Sequence, residues 1–306
     1  MKVSVIIPTY NGAHKLDGIL NALQKQSKQP DEIIVIVDGS TDNTAEVLEE
    51  YQKTISSLKV FYQDNKGRAA VRNAGASKAT CELLVFFDDD MLPEPNCLEV
   101  HLEHHRQKPM TILTGAQIDQ VDKSSTDIRK FRAWLTQKWS KQLIQTQGTA
   151  LSKENIFITA ANFSISKELF FRINGFDENL TDAEDFDLAV RAYSQGIRLY
   201  YDHNAFAWQF DPISGKNLIK RQRQYRRANE KLHLLKPELY KQFSYAEPVY
   251  PVGIKKIFFS FFATISWVNW LDGSKFKILI PRKMRYKIYD WIITSNGHFF
   301  PNKVEL

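Results

Sequence analysis

Three consecutive aspartates, Asp88, Asp89 and Asp90, follow the apolar run Leu83–Phe87. Carboxylates where a buried strand runs out need compensation, because an unpaired charge beside an apolar core is costly. A hard divalent cation can supply it: Mg²⁺ and Mn²⁺ take carboxylate oxygens and bridge them to phosphates. A solvated acidic turn ending the strand is the competing reading. His101, His104 and His105 form a second group with ligand chemistry, since histidines four apart share a helical face. No convergent fourth ligand accompanies them, so a solvated helix is the favoured reading there.

The elements around the triplet must place it. Val3–Ile7 reads as a buried strand closed by Pro8 and Asn11-Gly12, and Leu16, Ile19, Leu20 and Leu23 recur at helical spacing. Residues 33–37 are a second β-branched run ending in Asp38-Gly39-Ser40, followed by a helix over Ala45, Val47, Leu48 and Tyr51. A short strand at 60–62, a helix at 69–79 and the strand before the triplet continue the alternation. Strands alternating with helices predict an α/β protein with a mostly parallel sheet. Ligands of such sheets bind beyond the carboxyl ends of the strands. Pro8-Thr9-Tyr10, Asp38-Gly39-Ser40 and the triplet all fall at such ends, which argues for one site.

The chain has 306 residues and a formal net charge of +6, but the charge is uneven. Residues 1–211 hold 23 Lys and Arg against 29 Asp and Glu, whereas residues 212–306 hold 18 against 6. The acidic part is expected to carry metal chemistry and the basic part to face something anionic. The basic surplus is local and no recognition motif appears, so nucleic-acid binding is a poor fit. Cys81 and Cys97 show no metal-ligand spacing and no disulfide framework, as expected for a reducing, cytoplasmic setting. The apolar run at the N-terminus is too short for a signal peptide.

Five short motifs in order carry a resemblance. They are Ser4-Val5-Ile6-Ile7-Pro8-Thr9-Tyr10-Asn11, Val37-Asp38-Gly39-Ser40-Thr41-Asp42, Gly67 through Arg72-Asn73, the triplet, and Gly175-Phe176-Asp177-Glu178 with Glu184-Asp185-Phe186-Asp187-Leu188. Together they resemble the family 2 glycosyltransferases over about residues 3–210. The resemblance implies a GT-A fold, a nucleotide-diphosphate sugar donor, Mn²⁺ or Mg²⁺, and inversion at the anomeric carbon. It implies a domain over 1–211, with a nucleotide-sugar half at 1–110 and an acceptor half at 111–211 carrying an insert at 122–155. By the same resemblance Asp90 and Asp88 hold the metal, and Asp89 helps position ribose or sugar. Asp38 faces the nucleobase, suiting uracil best, with Pro8, Thr9, Tyr10, Asn11 and Gly67 lining the nucleotide pocket. Arg68 or Arg72 meets phosphate, unless Arg72 instead locks its loop.

Transfer from a nucleotide sugar needs its diphosphate leaving group stabilised and the acceptor hydroxyl deprotonated on the opposite face. The resemblance makes Asp185 the general base, with Glu184 beside it. In the competing reading Asp182, Glu184, Asp185 and Asp187 are acids favouring a helix N-terminus. Asn162 and Trp208 are expected on the acceptor side. Many family members have a metal-ligating histidine after the last strand, where this chain has Gln209. Gln224-Tyr225-Arg226-Arg227-Ala228 resembles a signature of processive synthases without its tryptophan, so addition of a single sugar is expected. The acceptor would be a hydroxyl of a glycan or polyprenyl-linked glycan and the sugar a hexose or N-acetylhexosamine. Two other classes compete: a nucleotidyltransferase, which would need a Gly- and Lys-rich loop absent from residues 7–15, and a non-catalytic sugar-nucleotide- or glycan-binding module, which would need no base.

Residues 212–306 are expected to form a helical, aromatic-rich extension. Within it, 257–271 is apolar, too short to span a bilayer comfortably, and flanked by lysines and arginines. Charge and aromatics together favour a segment lying in a membrane interface, with peripheral contact through 253–287 at the cytoplasmic face. A helix packed in a core is the alternative.

Overall fold

The apolar runs become the strands of one eight-stranded sheet in a computed structural model that describes residues 1–243, 250–273, 277 and 279–306. β1 (Val3–Thr9), β2 (Glu32–Asp38), β3 (Leu58–Gln63) and β4 (Leu83–Phe87) lie in the order β3-β2-β1-β4 and are parallel. β7 (Asn162–Ser166) then runs antiparallel to both β4 and β6 (Ile112–Asp119). β8 (Leu199–Gln209) is parallel to β6, and the three-residue β5 (Met91–Pro93) closes the far edge against β8. The sheet is therefore parallel in its first half and mixed in its second.

Both faces of the sheet are covered, which is why its central strands read as unbroken apolar runs. On one face Val3, Val5, Ile7 and Phe87 pack with Leu16, Ile19, Leu20 and Leu23 of α1 (Ala13–Gln24) and Leu98 of α4 (Cys97–Gln107). On the other, Ile6, Ile36 and Phe86 pack with α3 (Arg68–Lys78), α6 (Lys167–Arg172) and α7 (Glu184–Ser194). Phe86 stacks on Phe163 with ring centroids 4.7 Å apart. α2 (Thr44–Gln52) follows β2. These elements leave Thr9, Asp38 and Phe87 as the last residues of β1, β2 and β4.

Two compact units emerge: residues 1–120 with 137–210, and residues 121–136 with 211–306. The first fifteen residues of the sequence insert, 122–136, thus go with the C-terminal unit. Ile128 and Phe131, in α5 (Asp127–Ile144), bury among Tyr286, Tyr289 and Ile292, and Asp127 accepts from Arg285 at 2.6 and 2.9 Å and from the Tyr289 hydroxyl at 2.6 Å.

The C-terminal unit is helical: α8 (Gly215–Leu235), α9 (Pro237–Tyr240), α10 (Gly253–Phe262), α11 (Ile265–Gly273) and α12 (Arg282–Thr294), ending in a π-helical turn at Ser295–Phe299. The expected segment 257–271 is two helices, broken at Ala263-Thr264, and Phe262, Val268 and Leu271 face the core. Several arginines of α8 serve this unit's own packing. Arg223 donates to the carbonyls of Asn296 and Val304, and Arg226 to that of His298. No described helix is long and apolar enough to cross a membrane.

Candidate active site

Each aspartate of the triplet leaves β4 in a different setting. Asp88 accepts from an Arg72 terminal amine at 2.6 Å. Asp89 turns towards β1 and α1, where Thr9 Oγ1 donates at 2.8 Å and Lys15 Nζ at 3.1 Å. Burial raises the Asp89 carboxyl pKa, with Lys15 and Thr9 pulling it back. The approach is close: a Cβ on Gly12 would lie 2.1 Å from Thr9 Oγ1 and 2.5 Å from Asp89 Oδ2.

Asp90 is the least satisfied of the three. Its Oδ2 accepts from Gln209 Nε2 at 3.2 Å, which follows from the pairing of β5 with the end of β8. Its Oδ1 is buried without a partner among the described residues. Burial first, then the charges of Asp88 and Asp89, push its pKa up to about 7. An orphaned buried carboxylate oxygen beside two more carboxylates fits a hard divalent cation. Among the described residues no three acidic, histidine or cysteine side chains form a ready cage.

Arg72 extends this cluster towards α7. The chain enters α3 through Gly67, at φ 86°, and the entry is pinned by Asp38, which accepts from the amides of Lys66 and Gly67 at 3.0 Å each and from Gln63 at 2.7 Å. One helical turn on, Arg72 is buried, with one amine on Asp88 and the other on Glu184, both at 2.6 Å. Burial opposes its charge, yet Asp88 and Glu184 hold its pKa above the ordinary arginine value. Arg68 reaches Asp182 at 3.4 Å.

The acids at the start of α7 divide their work. Asp187 is buried on Arg191 at 2.6 Å, and Arg191 also holds the carbonyls of Ile173 and Gly175. Asp182 accepts from the amide of Ala183, a residue in the left-handed region at φ 61°. Glu184 is taken by Arg72. Asp185 accepts from the amide of Phe186 at 2.8 Å. Burial, then the neighbouring Glu184 charge, raise its pKa to about 7, while Arg72 pulls the other way. So three of the four acids are engaged by Arg72, Arg191 or the Ala183 amide, and Asp185, bonded to the Phe186 amide, forms no ion pair among the described residues.

A family model described as glycosyl transferase family 2 matches residues 4–173. The chain belongs to glycosyl transferase family 2. It is 29% identical over 219 residues to validoxylamine A glucosyltransferase of Streptomyces hygroscopicus subsp. limoneus, covering 64% of this chain and 48% of that protein. It is 40% identical over 99 residues to cholesterol galactosyltransferase of Borreliella burgdorferi, covering 32% and 28%. The chain spans about half the length of the first of these relatives. Among solved structures, S. aureus TarS 1–349 in complex with UDP-GlcNAc superposes with a TM-score of 0.57 at 20% identity, over 96% of this chain and 90% of that one. Mannosyltransferase PcManGT of Pyrobaculum calidifontis, in complex with GDP-Man and Mn²⁺, gives 0.61 at 16% identity, over 96% and 85%. These likenesses establish the GT-A fold. Glu184 and Asp185 lie beyond the span that the family model matches.

In this family 2 glycosyltransferase the other expected site residues have distinct places. Tyr10 is half-exposed, next to Asn11, which sits at φ 49° and accepts from the Thr41 amide at 2.8 Å. Two residues expected on the acceptor side have partners inside the fold. Asn162 is fully buried: its amide donates to the carbonyls of Ala116 and Ala205 at 3.0 and 2.9 Å, and its oxygen meets His101 Nε2 at 2.9 Å. It braces β7 against β6 and β8 and has no face for a sugar. Trp208 spends its indole N–H on Glu94 at 2.6 Å, leaving only its ring to meet a ligand.

The three histidines are neither zinc ligands nor solvated. His101 and His105 are buried on Ser164 at 2.7 and 2.8 Å, and His104 meets Thr111 at 3.0 Å. Burial lowers His101 and His104 to about 4 and His105 to about 3, so all three are neutral packing residues at pH 7. What sequence reasoning missed is Arg72 as a bridge between the triplet and α7. The only signal for it was an arginine one turn into a helix whose N-terminus faces the strand ends.

Proposed function

We propose that this chain is a metal-dependent, inverting glycosyltransferase that moves one hexosyl or N-acetylhexosaminyl group from a UDP-sugar to a hydroxyl of a glycan or lipid-linked glycan. The observation that carries the reading is Asp185. A carboxylate near its ordinary pKa is a weak base, whereas one raised to about 7 is matched to taking a proton from a sugar hydroxyl at neutral pH. Its charged form is costly when the site is empty, and proton transfer from the acceptor relieves that cost as the new glycosidic bond forms.

Inversion requires base and leaving group on opposite faces of the anomeric carbon. Asp185 belongs to α7 and the triplet to the end of β4, and Arg72 holds the two sides in fixed register through Glu184 and Asp88. Asp90, with Asp88 beside it, would hold Mn²⁺ or Mg²⁺, which when bound neutralises charge on the departing diphosphate. Thr9 and Lys15 orient Asp89 towards the donor. Asp38 retains acceptor capacity beyond its three internal bonds and supports recognition of a uracil ring N–H. The solved relatives bearing UDP-GlcNAc and GDP-Man with Mn²⁺ support a nucleotide-sugar donor of this kind.

The test is donor hydrolysis or transfer with Mn²⁺, after thermal-shift screening against UDP-, GDP- and dTDP-sugars. Asp185→Asn is expected to keep donor-induced stabilisation and lose turnover. Full turnover in Asp185→Asn would overturn the base assignment, and activity unaffected by EDTA would overturn the metal.

A further inference from the structure

α1 shows what an amphipathic helix normally does here: Leu16, Ile19, Leu20 and Leu23, at helical spacing, are all buried. α10 has the same spacing with the opposite outcome. Ile254, Ile257 and Phe261 are 86%, 73% and 60% exposed, Phe258 lies exposed on the same stripe, and Ile265, which opens α11 just after the break, is exposed too. Val252, just before the helix, is exposed as well. The stripe is not a loosely held end. Phe262 points inward, packing on Trp267 and Trp291 with centroids 5.0 and 5.5 Å away, and Phe258 also meets Trp291 at 5.0 Å. An aromatic layer therefore holds α10 with its apolar edge turned out. A contiguous apolar surface of this kind on a folded unit marks an interaction site.

Charge says what covers it. Lys255 and Lys256 stand exposed within α10, and Lys303 is tied to it through the Ser260 carbonyl and hydroxyl at 2.8 and 2.6 Å. Arg282, Lys283 and Lys287 are exposed on α12, which packs against α10 through Trp291. No Asp or Glu occurs in residues 250–271. Two copies of such a surface would oppose lysine with lysine, whereas an anionic lipid surface complements it. The helix has ten residues, about 15 Å at the usual rise, half the thickness of a hydrocarbon core, so it can lie in an interface but not span one.

We propose that α10 docks this unit onto an anionic bilayer, with Ile254, Ile257, Phe258, Phe261 and Ile265 entering the headgroup layer and Lys255 and Lys256 pairing with lipid phosphates. Trp267, Trp270, Val268 and Leu271 of α11 belong to the unit's packing and stay out of the lipid. The inference stands apart from the transfer chemistry, because its readout is lipid binding alone.

The experiment is co-sedimentation of the full chain with vesicles of phosphatidylcholine, with and without phosphatidylglycerol, alongside sedimentation velocity without lipid. Binding to the mixed vesicles is expected to exceed binding to phosphatidylcholine by more than about tenfold. Ile257→Glu with Phe261→Glu should abolish it while leaving the melting temperature unchanged, since both side chains are exposed. Lys255→Glu with Lys256→Glu, which leaves the apolar stripe intact, should weaken it by about tenfold or more. The proposal is overturned if the wild type ignores both vesicles, if either double variant binds like the wild type, or if the stripe closes a dimer that Ile257→Glu with Phe261→Glu dissolves.

Discussion

Arg72 and Glu184 form a buried ion pair at 2.6 Å that joins α3 to α7 across more than a hundred residues of sequence. Because the same guanidinium also holds Asp88 at 2.6 Å, it sets the triplet and the start of α7 in one frame. Burial makes that frame expensive to break. Removing one partner of a buried pair leaves an uncompensated charge, at about 3–5 kcal/mol.

Arg72→Gln is therefore expected to lower unfolding free energy by about 3–5 kcal/mol, read as a lower urea midpoint. Arg72→Lys keeps a charge but presents one ammonium to two carboxylates, so it should fall between wild type and Arg72→Gln. Equal stability of all three would mean that the bridge contributes nothing to holding the two sides together.

A second expectation concerns pH. In the proposed role Asp185 acts as a base only when ionised, so its pKa of about 7 would place the rise of kcat/KM near neutrality, with activity lost below it. Stability follows the opposite sign. The folded pKa lies above the ordinary aspartate value of 3.8, so the folded state keeps a proton that the unfolded chain has lost. This group's contribution therefore declines as pH rises from about 4 to about 7 and is flat above. Burial and the Glu184 charge raise the pKa, so Glu184→Gln should move the rise of kcat/KM to lower pH. A rise that stays in place, or moves up, would remove Glu184 as a cause.

How much of this was legible beforehand depends on the range over which each feature is decided. β1, β2 and β4 were readable because a strand covered on both faces must be apolar throughout, and the triplet stood out as the interruption. The role of Asp38 was only half visible: its type suggests a ligand contact, but its bonds to the amides of Lys66 and Gly67 depend on a loop that sequence pattern does not encode. The three histidines were read as a solvated helix for one reason. A polar residue looks solvent-facing in sequence, and only the folded sheet shows that His101, Asn162 and Ser164 satisfy one another in the interior. β5 escaped notice because three residues carry no periodicity, and its pairing with β8 is set from more than a hundred residues away.

Gly12 gives a prediction that its turn-like sequence conceals. Its φ of −102° suits any residue, so the glycine is not needed for backbone freedom. What it provides is room, since a Cβ would sit 2.1 Å from Thr9 Oγ1 and 2.5 Å from Asp89 Oδ2. Gly12→Ala must push Thr9 off Asp89 or shift the turn, at about 1–3 kcal/mol for overpacking. The expected signature is a lower melting temperature together with a higher KM for the donor. A donor KM unchanged by Gly12→Ala would separate Asp89 from donor binding.

Asp90 and Gln209 carry the last prediction. Gln209 stands where many relatives are expected to place a metal-ligating histidine, yet here its amide donates to Asp90 Oδ2 and leaves Oδ1 without a partner. A donor fixed on one oxygen leaves the other for a cation, so under the proposed metal role Gln209 would orient the ligand without being one. Asp90→Asn removes the charge and should abolish the thermal stabilisation that Mn²⁺ confers in the presence of donor. Gln209→Ala leaves the charge but frees the carboxylate to rotate, and a loss of about 10–100-fold in Mn²⁺ affinity is expected, as for other partners of metal ligands. Titration of activity with Mn²⁺ separates the two variants: Gln209→Ala should recover at high metal concentration and Asp90→Asn should not. If Gln209→Ala titrates like the wild type, the hydrogen bond at 3.2 Å does not orient Asp90 and the position is a neutral replacement for histidine.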